Sequence, residues 1–352
     1  MSVLIALAAA LAPAMSIPMV SYWEMTKLRS WWLVGTLALG SLWLLWHEPW
    51  LGLMGLWFVI RWRADPARDS YHPSLITWAA IAGGWFLLRG LPGWAWTAIP
   101  WVWLAIMVWH VWRCVRCLWT DRKPYERRPL GNIWRTKATQ GSPANTALFF
   151  CLCAPFCPWW LWPVLGLGLY ITWSWLAFVG VAAGLMVLHP SAAPWLLLTG
   201  MVVLAAWFIS WRTGRKLFEW TPRGDSFDSV INRLIVWYLI VTAWWAGPRW
   251  LGRGPYTLDK ELSRWSTRCW IELPTGEAFC DPLQHLYEYG LLGTLGVVAF
   301  AVPLLHRWFG GGGPDPWTAA AIAGFVIAWG HHPHRHPTIA LMLLTIYAGV
   351  GR

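Results

Sequence analysis

Side chains suited to chemistry gather in two stretches of this sequence. Residues 278–293 read AFCDPLQHLYEYGLLG, which puts Asp281, His285 and Glu288 at the opening of an apolar run. Histidine exchanges protons near neutral pH, and a carboxylate close by orients its ring. Glu288 stands just inside the apolar run, where an acid is costly unless partnered. It is therefore either a functional group or the partner of an arginine that fixes the helix start. Residues 229–254, SVINRLIVWYLIVTAWWAGPRWLGRG, hold Arg233, Arg249 and Arg253 with the glycines Gly252 and Gly254. A guanidinium fork matches phosphate oxygens, and the same side chain at a helix end also snorkels to a water interface.

Other reactive types carry less. His331, His332, His334 and His336 form a cluster whose composition suits a polar loop with adventitious metal affinity. Cys114 and Cys117 make a CxxC, but no second pair or spaced histidines accompany it, so no metal site is expected. Cys269 and Cys280 bracket a polar segment, and a disulfide and two separate thiols fit equally well. There is no P-loop, GxGxxG, HExxH or internal repeat, and no cofactor is expected.

These residues have to be positioned by helices in a membrane. Of 352 residues, 57% are hydrophobic and 12% charged, against about 25% charged in a soluble domain. Apolar windows near the roughly 20 residues needed to cross a bilayer recur along the chain, divided by short stretches rich in Arg, Pro and Gly. They lack the alternation of a membrane barrel, so the expected fold class is all-α, a polytopic transmembrane helical bundle. The spans predicted are 3–21, 31–46, 49–61, 74–90, 93–112, 146–165, 166–188, 193–211, 285–305, 317–331 and 338–350. That is about eleven crossings, within a range of ten to twelve.

The first stretch lacks the basic region of a signal peptide and reads as a retained span. The 36 tryptophans, many at segment ends, suit interfacial anchoring. A net charge of +11 would suit nucleic acid. Here, however, Arg and Lys crowd into 113–137, which marks a cytoplasmic loop that can touch anionic lipid, and no nucleic-acid partner is expected. Four parts follow: N-terminal helices 1–134, central helices 135–211, an external loop 212–284 containing short helices, and C-terminal helices 285–352. Within the loop, Val230 to Trp245 is short for a span and reads as re-entrant or interfacial.

The 278–293 segment resembles a motif of the O-antigen ligase and O-antigen polymerase superfamily, A-H-N-D-Y-L-Q-x-L-x-E-x-G-L-L-G. Ala278, Asp281, Leu283, Gln284, Leu286, Glu288, Gly290, Leu291, Leu292 and Gly293 match it in register. Three more pieces follow the family's order. Ser229, Arg233, Leu234 and Trp237 resemble its S-x-x-x-R-L-x-x-W helix, and Pro248, Gly252 and Gly254 resemble its P-x-x-G-x-G turn with one extra residue after the proline. Gly141, Asn145 and Ala147 resemble G-x-x-x-N-x-x-A with the alanine one residue early, and residues 172–177, TWSWLA, stand where the family has T-x-S-R-x-A.

The resemblance implies metal-independent transfer, or polymerisation, of a glycan from an undecaprenyl pyrophosphate carrier. Its setting would be the periplasmic face of a bacterial inner membrane. The implied partners are a lipid-linked oligosaccharide donor, a glycolipid, glycan or protein acceptor, and membrane lipids. Arg233 matches the arginine that holds the pyrophosphate. Arg253, Gly252, Gly254, Ser174 and Asn145 join it as expected substrate-binding residues, with His285, Asp281 and Glu288 as expected catalytic ones.

Two departures bear on that expectation: the family histidine is Phe279 here, and the arginine beside Ser174 is Trp175. Phenylalanine cannot take a proton. The base has then moved to His285 or to the 331–336 cluster, or catalysis is lost and a lipid-linked glycan is only bound, or a different constellation acts on another substrate. The competing class is a non-enzymatic scaffold subunit or a transporter, though the paired half-helices of many transporters are not seen.

Overall fold

The computed structural model describes residues 2–11, 38–39, 41–42, 45–46, 49–64, 88–119, 128–130, 133–135, 143–172, 174–213, 225–254, 257–258, 261–262, 264–265, 280, 282–295, 315–330 and 337–350. Asp281, Phe279, Cys269 and the 331–336 histidines lie outside these, as do most of the predicted spans 31–46 and 74–90.

The fold is all-α. Its helices are α1 (Ser2–Leu11), α2 (Pro49–Ala64), α3 (Gly93–Trp119), α4 (Pro143–Cys153), α5 (Trp162–Thr172), α6 (Trp175–Leu188), α7 (Ala193–Thr213), α8 (Asp225–Trp245), α9 (Pro316–Ala328) and α10 (Pro337–Gly349). Residues 282–295 are helical too. Among the described residues a two-stranded hairpin, β1 (Arg128–Leu130) with β2 (Ile133–Arg135), interrupts the basic loop. Among the described residues one helix, over Gly93–Arg116, is long and apolar enough to cross a membrane.

Proline breaks what hydropathy reads as continuous. The predicted span 146–165 is not one helix: α4 stops and Cys157 is extended at φ −77°, ψ 117°. Pro158 follows it, and the residue before a proline is pushed out of the helical region. The predicted span 166–188 likewise divides. At the end of α5, Thr172 Oγ1 donates to the Gly168 and Leu169 carbonyls, at 2.8 and 3.3 Å. Ser174 is then extended ahead of α6. Within residues 212–284 the piece expected over Val230 to Trp245 is instead the 21-residue α8, about 30 Å long. It opens on Asp225 and Asp228, residue types that favour a helix N-terminus but that a hydropathy reading excludes.

Small residues set the helix packing. A Cβ on Gly180 of α6 would lie 2.6 Å from Cys151 Sγ and 2.9 Å from Ile327, and one on Gly184 would lie 3.4 Å from Pro155 and 3.6 Å from Ala323. Glycine and alanine at four-residue spacing let backbones approach closely, as they do in lipid. The pairs show that α6 runs antiparallel to α9 and parallel to α4. Asn145, in the first turn of α4, and Ser174, just ahead of α6, thus lie toward the same end of this parallel pair. Asp315 starts α9, its Oδ1 accepting from the Trp317 and Thr318 amides at 2.9 and 3.1 Å. Asp315→Ala is expected to lower stability by about 1 kcal/mol, read as a drop in thermal midpoint in detergent.

The larger apolar cluster joins α1, α3, α4, α5, α6, α9 and α10. A smaller one, Val236, Ile240, Leu258, Leu262 and Tyr287 with Leu283 and Trp265 against it, joins α8 to the 282–295 helix. Much apolar surface stays outward, including Leu234, Tyr238, Val241 and Trp245 at helical spacing along α8, and Trp195, Leu198, Met201 and Phe208 on α7.

Candidate functional site

After α8 the chain turns at Pro248 and runs against the 282–295 helix. Within an unbroken helix the amides of Leu291 and Leu292 would bond the carbonyls of Tyr287 and Glu288. Here they bond Arg249 and Trp250 oxygens at 2.8 and 3.3 Å. The freed carbonyls of Tyr287 and Glu288 accept instead from the amides of Arg253 and Gly254, at 3.0 and 2.8 Å. The turn thus splices into the helix ladder, and every backbone group displaced finds a new partner.

Glycine makes this possible. Gly252 and Gly290 have φ of +68° and +69°, and a Cβ on either would lie 2.4 Å from the other's amide nitrogen. The two most distinctive segments of the sequence are therefore one structural unit. Gly252 and Gly254 act here as backbone joints, both buried.

Arg249 and Arg253 attend the end of α8. Arg249 Nε donates to the Trp245 carbonyl at 2.8 Å, with its guanidinium 4.1 Å from the Trp245 ring centroid. Arg253 Nη2 donates to the Ala243 carbonyl at 3.1 Å and stands 5.5 Å from the Tyr287 ring centroid. Cations at a helix C-terminus satisfy its carbonyls and oppose its dipole.

Arg233 sits elsewhere. It lies ten residues before Ala243 on α8, about 15 Å along the axis, so the geometry does not bring Arg233 and Arg253 to one ligand group. Arg233 Nη1 donates to the Gly330 carbonyl at 3.0 Å. Gly330 in turn packs on Leu176, where a Cβ would lie 2.7 Å from Cδ1. Leu176 is two residues past Ser174, and Asn145 is buried in the first turn of α4. Arg233, Ser174 and Asn145 thus occupy one end of the bundle, where the N-termini of α4 and α6 both point.

The 282–295 helix runs alongside α8. Leu283 and Tyr287 both enter the cluster with Val236 and Ile240. The helix start is therefore nearer Arg233, and Glu288 nearer the glycine turn. Glu288 is 3% exposed and accepts from Gln284 Nε2 at 3.2 Å. His285 lies about 160° around the helix from both Leu283 and Tyr287, facing away from α8. Its ring stacks on Tyr289 at 5.4 Å, and Trp57 of α2 donates to the Tyr289 carbonyl at 3.3 Å. Two buried polar atoms, Gln284 Oε1 and the Tyr287 hydroxyl, have no hydrogen-bond partner among the described residues, at a cost of about 1–3 kcal/mol each.

Sequence reasoning missed Gly330 and Tyr287. Gly330 acts through its carbonyl, which any residue carries, so no signal marks it. Tyr287 could have been found from its spacing: it is one turn past Leu283 on the face toward α8. An open depression of about 450 Å³ also lies over the glycine turn, lined by Pro248, Leu251, Gly252, Arg253, Thr257 and Glu261. In comparisons with known proteins, no family model matches the chain and no curated protein matches it.

Proposed function

We propose that the chain is a membrane glycosyltransferase-like protein of the O-antigen ligase and polymerase type. In this reading it crosses a bacterial inner membrane about eleven times and takes an undecaprenyl-pyrophosphate-linked glycan at the periplasmic face. That requires the 113–137 loop, at the same end of α3 and α4 as Asn145, to lie on that face and not on the cytoplasmic one its charge suggests. The acceptor is a glycolipid, glycan or protein. Arg233 grips the diphosphate while the lipid tail stays between outward apolar helix faces. Two helix N-termini add their positive dipole ends to its charge, an arrangement that favours anions.

The observation that carries this reading is the Arg233 bond to Gly330 against Leu176. It brings the arginine of one resembling segment beside the residues of a second, TWSWLA, while the register of α4 adds the third through Asn145. The fourth, at 278–293, is spliced to the end of the same helix that carries Arg233. The proton acceptor is then drawn from Asp281, His285 and Glu288.

A second reading is binding without transfer, and one observation favours it: His285 faces away from the helix that bears Arg233. Deleting the gene and profiling membrane glycolipids separates the two. Under transfer, lipid-linked glycan accumulates in the deletion strain; a wild-type copy clears it and a His285→Ala copy clears it about a hundredfold more slowly, the upper reach of acid–base catalysis being greater still. Under binding alone, the lipid-linked pool is the same in all three strains.

A further inference from the structure

We infer that the depression over the glycine turn is a saccharide site, which rests on the transfer reading and supplies the place where the glycan itself is held. Its floor is fixed, because Gly252 is locked against Gly290. One wall is apolar, from Pro248 and Leu251, and the other presents Arg253, Thr257 and Glu261.

The chemistry of that wall selects the ligand class. A guanidinium only donates hydrogen bonds and a carboxylate only accepts them, so a ligand touching both needs groups that do each. Vicinal sugar hydroxyls meet that need, and the apolar face of a sugar ring suits Pro248 and Leu251. An ammonium would be repelled by Arg253, and a phosphate, which only accepts, would use Arg253 and leave Glu261 without a ligand donor. The charges are held in place: Glu261 accepts from Arg264 at 2.8 Å, Arg253 is tied to Ala243, and the Thr257 hydroxyl donates to the Gly254 carbonyl at 2.7 Å, so toward a ligand its oxygen serves as an acceptor. Beneath them the buried Tyr287 hydroxyl lies in the field of Arg253, Glu261 and Arg264 without a hydrogen-bond partner. The volume is in the range of small-molecule sites. The distance from Arg233 is the reason a separate site is needed, since one diphosphate cannot reach both arginines.

The test uses the full chain in lipid nanodiscs and saturation-transfer NMR with glucose, N-acetylglucosamine and glucuronic acid as separate probes. Signal from at least one neutral sugar is expected in the wild type. It should weaken about tenfold in Glu261→Gln, which removes the carboxylate charge, and in Arg253→Lys, which keeps the charge but loses the planar pair of donors. Arg233→Ala should leave the sugar signal intact and remove binding of inorganic pyrophosphate. No signal from any of the three sugars, or equal signal in the wild type and Glu261→Gln, overturns the saccharide site. If pyrophosphate binds the wild type and Arg233→Ala alike while the sugar signal still falls in Glu261→Gln, the diphosphate reading fails and the saccharide site stands.

Discussion

Arg233→Ala is expected to reduce glycan transfer by at least about 100-fold, the scale on which losing one preorganised anion-stabilising donor acts. The guanidinium is half-buried and bonded to the Gly330 carbonyl, so its fork is held in position before any ligand arrives. Removing it deletes the charge and also leaves Gly330 without that donor, which loosens the junction of α8, α9 and α6. Arg233→Lys should recover only part of the loss, because a lysine supplies charge without a planar pair of donors. Arg249→Ala makes the contrast. That side chain is exposed and spends its contacts on Trp245, so its removal should change transfer less than about threefold, in line with the small worth of an exposed cation at a helix end. Transfer measured in membranes carrying equal amounts of each variant checks the ranking.

Gly252→Ala is expected to cost more than about 3 kcal/mol, among the largest single-residue effects on this fold. Its Cβ would meet the Gly290 amide at 2.4 Å and the Glu288 carbonyl oxygen at 2.5 Å, both backbone atoms that no rotamer change can move. The positive φ of +68° adds its own strain for any other residue. Gly290→Ala should do the same from the other side. Gly200→Ala serves as the control, since a Cβ there meets nothing within 4 Å in the middle of α7. It should be neutral or gain up to about 1 kcal/mol. Thermal unfolding in detergent, with monodispersity by size exclusion, distinguishes the two classes.

Parts of this arrangement are legible in the sequence and parts are not. The helical class follows from long apolar runs without strand alternation, and the described residues bear out all-α with one short hairpin added. Boundaries were harder to read where proline intervenes: averaging over a window hides Pro158, although the rule for the residue before it marks Cys157 as a break. Asp225 and Asp228 hid the first turn of α8 because hydropathy penalises the same acids that a helix N-terminus welcomes.

At the site, Gly252, Gly254 and Gly290 stand out in sequence as residues with a backbone role. What no pattern in the letters gives is that two of them meet, because their contact joins positions nearly forty residues apart through backbone atoms alone. The Arg233 bond to Gly330 spans 97 positions and ends on a carbonyl, so it too leaves no trace in residue types. The facing of His285 is different. A helix period of 3.6 residues places it opposite Leu283 and Tyr287, and that much can be read from spacing once those two are known to pack inward.

In the proposed function the Arg233 end of the bundle is the seat of a lipid diphosphate. Native mass spectrometry of the protein released from nanodiscs loaded with undecaprenyl pyrophosphate tests it directly. The wild type should retain one such lipid through activation energies that strip ordinary phospholipid, and Arg233→Ala should lose it with the phospholipid. Equal retention by both proteins, or release of the diphosphate lipid from the wild type together with bulk lipid, would contradict the account.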